Sequence, residues 1–533
     1  MSAEVAIARR SFRQVWIGAT VWAVAFGGTV AATALSYVST FPTVASRQQV
    51  GQAVVGQTGL SVLFGSLADI DKVGGYTTYK TFVFLTTIGA LWGLLAATKL
   101  LRGEEDAGRW QLVLSGSTRA NRATIATLAA LYAAVGVLFV GTTAIALLAA
   151  SRPGVGFSVG ETVVYGLTLV IAPAVFVGVG AVTSQLCRTR RMATGVAMGV
   201  FGVAFVVRMI SDAGSSVVWL RWLTPFGWVE LVQPFTALDV RPLLLAAAVV
   251  AVLVVAAVVG VNRRDVGTGI WSSRDHAEVR PRGLRTPFGF AVRLDLPVLV
   301  AWCAGAAATG LSLGLVAKVA NESIPESMAS TLDRFGARGS FVDQYLGVAF
   351  LMVATVVALI PAGQLAAAAD EETSGRVVHL LVGPVRRVAW LGGRLGLAVA
   401  GIVVAGVLAG VGTWVGARSQ GVDVGIASMV GAGLNVVPSA IVALGLGAVV
   451  LALAPRAAAL SVYVLVVGSL LIDLVASMVS SVAWLSHLSL FHTMALAPGA
   501  PADLVTVAVT TFLGLGLCAA SVALFQRRDL SIG

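Results

Sequence analysis

The chain has 533 residues, 57% of them hydrophobic and only 11% charged, with a mean hydropathy of +0.91. A soluble domain is about 45–50% apolar and about 25% charged, so this composition excludes a water-soluble enzyme and points to an integral membrane protein. The net charge of +11 comes from arginines scattered between apolar runs rather than gathered on one face, which argues against a nucleic-acid partner and leaves membrane orientation as their use.

Apolar windows of about 19 residues predict twelve spans. Six lie near 15–38, 81–98, 123–150, 163–186, 192–210 and 242–261, and six near 296–317, 347–369, 391–415, 428–454, 457–475 and 503–525. These runs lack period-two alternation, so the expected fold class is all-α rather than a barrel. The first run is too long for a cleavable signal peptide. Cys187–Arg191 and Pro455–Arg456 interrupt otherwise continuous apolar stretches and separate spans four from five and ten from eleven. With a cytoplasmic N-terminus, 25 of the 36 lysines and arginines fall on the inner side and ten on the outer, with Arg208 inside a span. That asymmetry predicts both termini in the cytoplasm.

The chain is written twice. Glu104-Glu105-Asp-Ala-Gly108-Arg109 follows the second span, and Glu371-Glu372-Thr-Ser-Gly375-Arg376 follows the eighth. Ser215-Ser-Val-Val-Trp-Leu220 recurs as Ser480-Ser-Val-Ala-Trp-Leu485, and Arg263-Arg-Asp265 as Arg527-Arg-Asp529, all at offsets of 264–267 residues. Six spans per copy make the two halves parallel. The expected organisation is a first half over 1–261, a cytoplasmic linker with an interfacial helix over 262–295, and a second half over 296–533. The basic and apolar segments before the first and seventh spans, Arg9–Arg13 and Phe288–Arg293, suit helices lying in the lipid interface or simple topogenic charge.

No catalytic constellation is visible. None of Lys72, Lys80, Lys99 and Lys318 sits in a phosphate-binding glycine loop, so nucleotide hydrolysis by this chain is not expected. Three cysteines and four histidines form no disulfide framework or zinc spacing. The acidic Gly-Arg segment is the candidate worth most. Glutamates before Gly-Arg and an amphipathic turn after it make a short helix able to dock in another protein's groove, its carboxylates suiting the positive N-terminal end. A solvated turn that only sets topology is the plainer alternative.

These residues carry a resemblance. Two six-span halves, Glu-Glu-x-x-Gly-Arg after the second span of each, Arg-Arg-Asp closing each half and Leu223-Thr-Pro-Phe-Gly-Trp228 before the sixth span resemble the ABC transporter type-2 permeases. Within that family the chain is similar to fused, double-length actinobacterial permeases described as exporters of tetronasin and other polyketide antibiotics. The resemblance implies coupling helices at Glu104, Glu105, Gly108, Arg109 and at Glu371, Glu372, Gly375, Arg376, docking on two copies of a separate ATPase subunit. ATP and Mg would be bound by that partner, this chain holding no cofactor or metal. Amphipathic or hydrophobic compounds, antibiotics among them, would leave the cell through the plasma membrane. The second half's Leu488-Ser-Leu-Phe-His492 lacks the Pro-Phe-Gly core, so its hairpin is expected to differ. The rival reading is a proton-coupled transporter of the major facilitator type, whose loop, however, carries Asp-Arg-x-Gly-Arg-Arg; here Trp110 and Val377 stand at the second basic position.

Charges within spans are functional candidates. Arg208 and Asp473 occupy matching positions in the two halves, and a pseudo-twofold axis would let them pair as a gate or clasp; separate snorkelling is the alternative. The connection rich in Trp219, Trp222, Phe226 and Trp228, matched by Trp484 in the second half, is too apolar for a hydrated loop and predicts a re-entrant or interfacial hairpin.

Overall fold

A computed structural model describes residues 3–54, 65, 69–116, 118–212, 215–271, 286–322, 341–382, 385–478, 484 and 486–528. Among them there is no β-strand. The chain forms two compact units, Met1–Ala277 and Glu278–Gly533. Among the described residues eleven helices are long and apolar enough to cross a membrane, so the protein is a multi-pass membrane protein. The remaining expected span, 457–475, corresponds to a helix over Ala458–Met478.

In the first unit α1 covers Ala3–Thr40, α2 Val44–Val54 and α3 Val73–Thr98. A π-helical turn, Lys99–Gly103, and the short turn Glu104–Asp106 carry α3 into α4, Arg109–Leu114. Then come α5 Ala120–Ala150, α6 Val159–Leu169, α7 Ile171–Leu186 and α8 Arg190–Asp212. A 3₁₀ turn, Ser215–Leu223, leads to α9 Pro225–Val232 and α10 Arg241–Val261. The second unit contains α11 Pro287–Glu322, α12 Phe341–Ala358, α13 Ile360–Thr373, α14 Arg376–Leu381 and α15 Arg387–Ser419. It closes with α16 Ile426–Asn435, α17 Val437–Leu453, α18 Ala458–Met478 and α19 Leu504–Arg527.

The interfacial helices expected before spans one and seven are not separate elements. At 1.5 Å per residue the 38-residue α1 is about 57 Å long, well beyond a hydrocarbon core of about 30 Å. Nothing between Arg13 and Val15 breaks it, so Arg9, Arg10 and Arg13 extend the span beyond the apolar layer. The 36-residue α11 likewise runs unbroken through Pro297.

Each half is built around a broken helix. α6 and α7 form one span interrupted at Val170, and α16 and α17 another interrupted at Val436. Pro173 and Pro438 explain the breaks: each lacks an N–H, and its ring collides with the carbonyl four residues earlier. Backbone groups released inside a membrane must be enclosed by protein. Both joints are, with Ile171, Ala172 and Val436 buried. Other helices pack through small residues. Gly310 and Gly314 of α11 face the Gly412–Gly416 stretch of α15, so closely that a methyl on Gly412 would overlap the carbonyl oxygen of Ala307.

Gly412→Ala is therefore expected to destabilise the second half by about 1–3 kcal/mol through overpacking, read as a lowered thermal midpoint in detergent. Gly305→Ala on α11, where an added methyl meets nothing within 4 Å, is the control; equal midpoints would contradict the close packing.

Candidate functional site

The two acidic Gly-Arg segments fold alike. Gly108 has φ 73° and ψ −4°, Gly375 φ 74° and ψ −2°. This left-handed conformation is one that only glycine adopts readily. It ends one helix and starts a new six-residue helix at Arg109 and at Arg376. The turn is closed by the Gly108 N–H donating to the Glu105 carbonyl (2.9 Å) and the Gly375 N–H to that of Glu372 (3.0 Å).

In the first half the second glutamate of the pair is the hub. Arg264 forks onto Glu105 with bonds of 2.6 and 2.7 Å, and the Gly267 N–H donates to it at 2.6 Å. Arg102 pairs with the same carboxylate at 3.0 Å and donates to the carbonyls of Cys187 and Thr268. Arg264 also donates to the Gln185 side chain at 2.8 Å. Arg102 and Glu105 are 0% and 3% exposed at the side chain. The clamp thus fastens the Gly-Arg element to the end of α7 and the tail of α10. Glu104 is held by Arg109 (2.7 Å) and by Arg10 of α1 (3.1 Å), two half-exposed arginines.

In the second half both glutamates are buried and each has its own arginine. Arg394 of α15 joins Glu371 and, at 3.2 Å, Asp295 of α11; its side chain is 4% exposed. Arg394 also lies 5.5 Å over the Trp390 ring. Glu372 pairs with Arg528, which donates as well to the Leu451 carbonyl at 3.3 Å. Arg376 does not reach Glu371: it pairs with Asp370 and donates to Ser374 at 2.8 Å.

This changes the roles expected of the motif. Glu104, Glu105, Glu371 and Glu372 are buried against arginines of their own half, because an ionised carboxylate at a helix end is far cheaper to keep beside a guanidinium than alone. They shape the element rather than present a contact surface. An exposed apolar residue accompanies each short helix: Leu112 in α4 is 76% exposed, and Val382, just past the end of α14, 84%. Trp110 and Val377 are buried inward. Arg109 and Arg376 keep part of their surface exposed.

At the opposite end of the first half, Arg208 meets Asp212 at 2.8 Å and Glu230 at 2.7 Å, while Arg221 meets Asp212 at 2.8 Å and Glu230 at 3.4 Å. Buried Arg208, partly buried Arg221 and the two buried carboxylates balance in charge. Asp473 accepts from Ser489 at 2.6 Å within its own half. The quartet pins the hairpin onto α8. Phe226 and Trp228 are buried in α9, and the Trp228 indole N–H donates to the Trp222 carbonyl at 2.7 Å. Trp219 is exposed and Trp222 borders on exposure. Trp484 is exposed too, but most of the repeated Ser480–Leu485 segment lies outside the described residues. Phe491, which corresponds to Phe226, is buried; among the described residues no helix matches α9 there.

Sequence reasoning missed Arg102, Arg264, Arg394, Arg528, Asp212, Arg221, Glu230 and Asp295. A signal existed for two of them, since Arg264 and Arg528 belong to the repeated Arg-Arg-Asp. Arg394 and Glu230 were legible as charges in apolar surroundings. His487 and His492 lie ring to ring at 4.3 Å, and the side chain of His379 is outside the described residues. No group of three potential metal ligands occurs among the described residues.

Glu230→Gln leaves buried Arg208 and partly buried Arg221 facing one carboxylate. It is expected to cost about 3–5 kcal/mol, seen as loss of folded yield and a lowered thermal midpoint. Asp239→Asn, at the solvated Arg241 pair, should leave both almost unchanged; comparable losses would contradict the quartet.

The comparisons with known proteins agree with this architecture. The family described as "Multidrug efflux system permease Rv1217c, C-terminal domain" matches residues 48–261 and 284–526. The multidrug efflux system permease protein Rv1217c of Mycobacterium tuberculosis (strain ATCC 25618 / H37Rv) is 30% identical over 407 residues, 76% of this chain and 72% of that protein. With both segments matched, the chain belongs to this family of ABC-type exporter permeases.

Proposed function

We propose that the chain is the membrane subunit of an ATP-driven exporter and that its two Gly-Arg elements are coupling helices for two copies of a separate ABC ATPase. The observation that carries this reading is the recurrence, in both halves, of one device. A left-handed glycine starts a six-residue helix, buried ion pairs fasten its base, and the helix region turns Leu112 or Val382 outward. An element fixed at its root and apolar at its tip suits docking into a partner's groove. In this reading the Gly-Arg ends face the cytoplasm, as the arginine asymmetry favours, and the protein resides in the plasma membrane. ATP and Mg belong to the partner.

The relative's name supports efflux of multiple drugs as the activity. Cargo would be amphipathic or hydrophobic, since the arginines and carboxylates inside the helical bundles already neutralise one another and leave little to bind a hydrophilic solute. ATP-driven closure of the partner subunits would push on both elements, and the six spans of each half would rearrange around their broken helices.

The test is retention of the ATPase. Co-purification of the chain with its ATPase is expected to fall at least about tenfold in the Leu112→Asp, Val382→Asp double variant, as for loss of central apolar anchors of an interface, with no change in the thermal midpoint of the chain alone. Full retention would remove the docking role. Solute movement by the chain alone on a proton gradient would replace the ATP-driven reading with a secondary transporter.

A further inference from the structure

One face of α1 runs from a polar groove into an apolar strip. Ile7, Arg10 and Gln14 line a groove of about 380 Å³, its open mouth included, whose other walls come from α4, α5 and the π-helical turn. Ile17, Val21 and Val24 continue that face at the same spacing of three and four residues, and all three are exposed. Positions so spaced share one side of a helix. Arg10 stands five residues before the apolar run that begins near 15, about 7.5 Å at 1.5 Å per residue. The headgroup layer is about 5–8 Å deep on each side of the hydrocarbon, so the groove opens at that level. Half-exposed Trp16 marks the boundary, as tryptophans do at membrane interfaces.

The groove is positive and has donors to give. The carboxylate lining it, Glu104, accepts from Nε and Nη2 of Arg109, both at 2.7 Å, and from Nη2 of Arg10 at 3.1 Å. Lys99 acts on the same carboxylate, so three cations surround one anion. The neighbouring carboxylates are turned elsewhere: Glu105 to Arg102 and Arg264, Asp106 to the Arg190 N–H. Among the described residues Arg10 donates through Nη2 alone, which leaves Nε and Nη1. Ser11 lines the groove, is 8% exposed, and its hydroxyl has no partner among the described residues. Thr127 on the α5 wall, by contrast, returns its hydroxyl to the Ala123 carbonyl at 2.9 Å. A buried hydroxyl without a partner is uncommon unless something else satisfies it.

We propose that this groove binds the phosphodiester headgroup of an acidic phospholipid. The phosphate takes the spare donors of Arg10, the exposed side of Arg109 and the Ser11 hydroxyl, and the acyl chains lie along Ile17, Val21 and Val24. Guanidiniums suit phosphate oxygens, and basic pockets between membrane spans suit anionic headgroups. The site requires only that this end of α1 lies at a membrane surface, and it stands apart from the ATPase-docking reading.

The test uses the purified chain alone, mixed in neutral detergent with equimolar phosphatidylglycerol and phosphatidylcholine; native mass spectrometry counts the lipid retained. The wild-type chain is expected to retain phosphatidylglycerol preferentially. Arg10→Gln should lower that retention at least about fivefold, a conservative figure for a charge-assisted hydrogen bond. Gln14→Glu removes no cation and sets a negative charge on the groove wall, and should lower it as much. Both residues are exposed, so the fold is kept. Arg122→Gln takes the same charge from the same end of the half, where Arg122 is 63% exposed and pairs with Glu4; it should change retention less than about twofold. Equal losses in all three variants, or no lipid preference in the wild type, would overturn the site. Displacement of phosphatidylglycerol by millimolar inorganic phosphate would overturn it too, giving the groove to a soluble anion instead.

Discussion

A carboxylate buried at the end of a membrane helix has to find a cation, and that requirement organises both halves of this protein. Glu105 and Glu372 sit one turn before a left-handed glycine and are each met by the second arginine of an Arg-Arg pair just past the last span of their half. In the first half the ends of the second, fourth and sixth spans are thereby tied together. Because desolvating each ion alone costs several kcal/mol, the pair forms only when the helices have assembled, so it reports and enforces the correct packing.

Around that point the helices obey the second rule of the bilayer, that no backbone group is left without a partner. Spans that break helical continuity, at Val170, Leu359 and Val436, are enclosed there, with Ile171, Ala358, Ile360 and Val436 buried. The continuous ones pack through glycine and alanine, which let backbones approach without a hydrophobic driving force. At the far end of the first half the same economy recurs as the Arg208–Asp212–Arg221–Glu230 quartet, which lets a hairpin rich in aromatic residues return to the bundle without leaving a charge bare.

Membership of an efflux-permease family gives these features a common purpose. A transport subunit must accept force at one end and rearrange at the other. Rigid roots with apolar tips at the Gly-Arg elements suit the first task, and spans hinged at a proline suit the second.

Much of this was legible in the chain itself. Apolar length determines spans because only helices satisfy their backbone in lipid, and eleven of the twelve predicted runs are, among the described residues, helices long and apolar enough to cross a membrane. The breaks at Cys187 and Pro455 were visible as interruptions, and Gly108 and Gly375 as the residues a tight turn needs. The direction in which the glutamates point was not legible. Glu104 and Glu105 precede Gly-Arg as solvated docking residues would, and only the approach of Arg264, 159 residues away along the chain, turns Glu105 inward. Arg208 likewise looked matched to Asp473 by register, whereas Glu230, 22 residues on, folds back to meet it. Hydropathy and local turn chemistry are properties of neighbouring residues and so are written in the sequence. Which buried charge neutralises which depends on helices that meet only after packing, and that was decided by the tertiary structure.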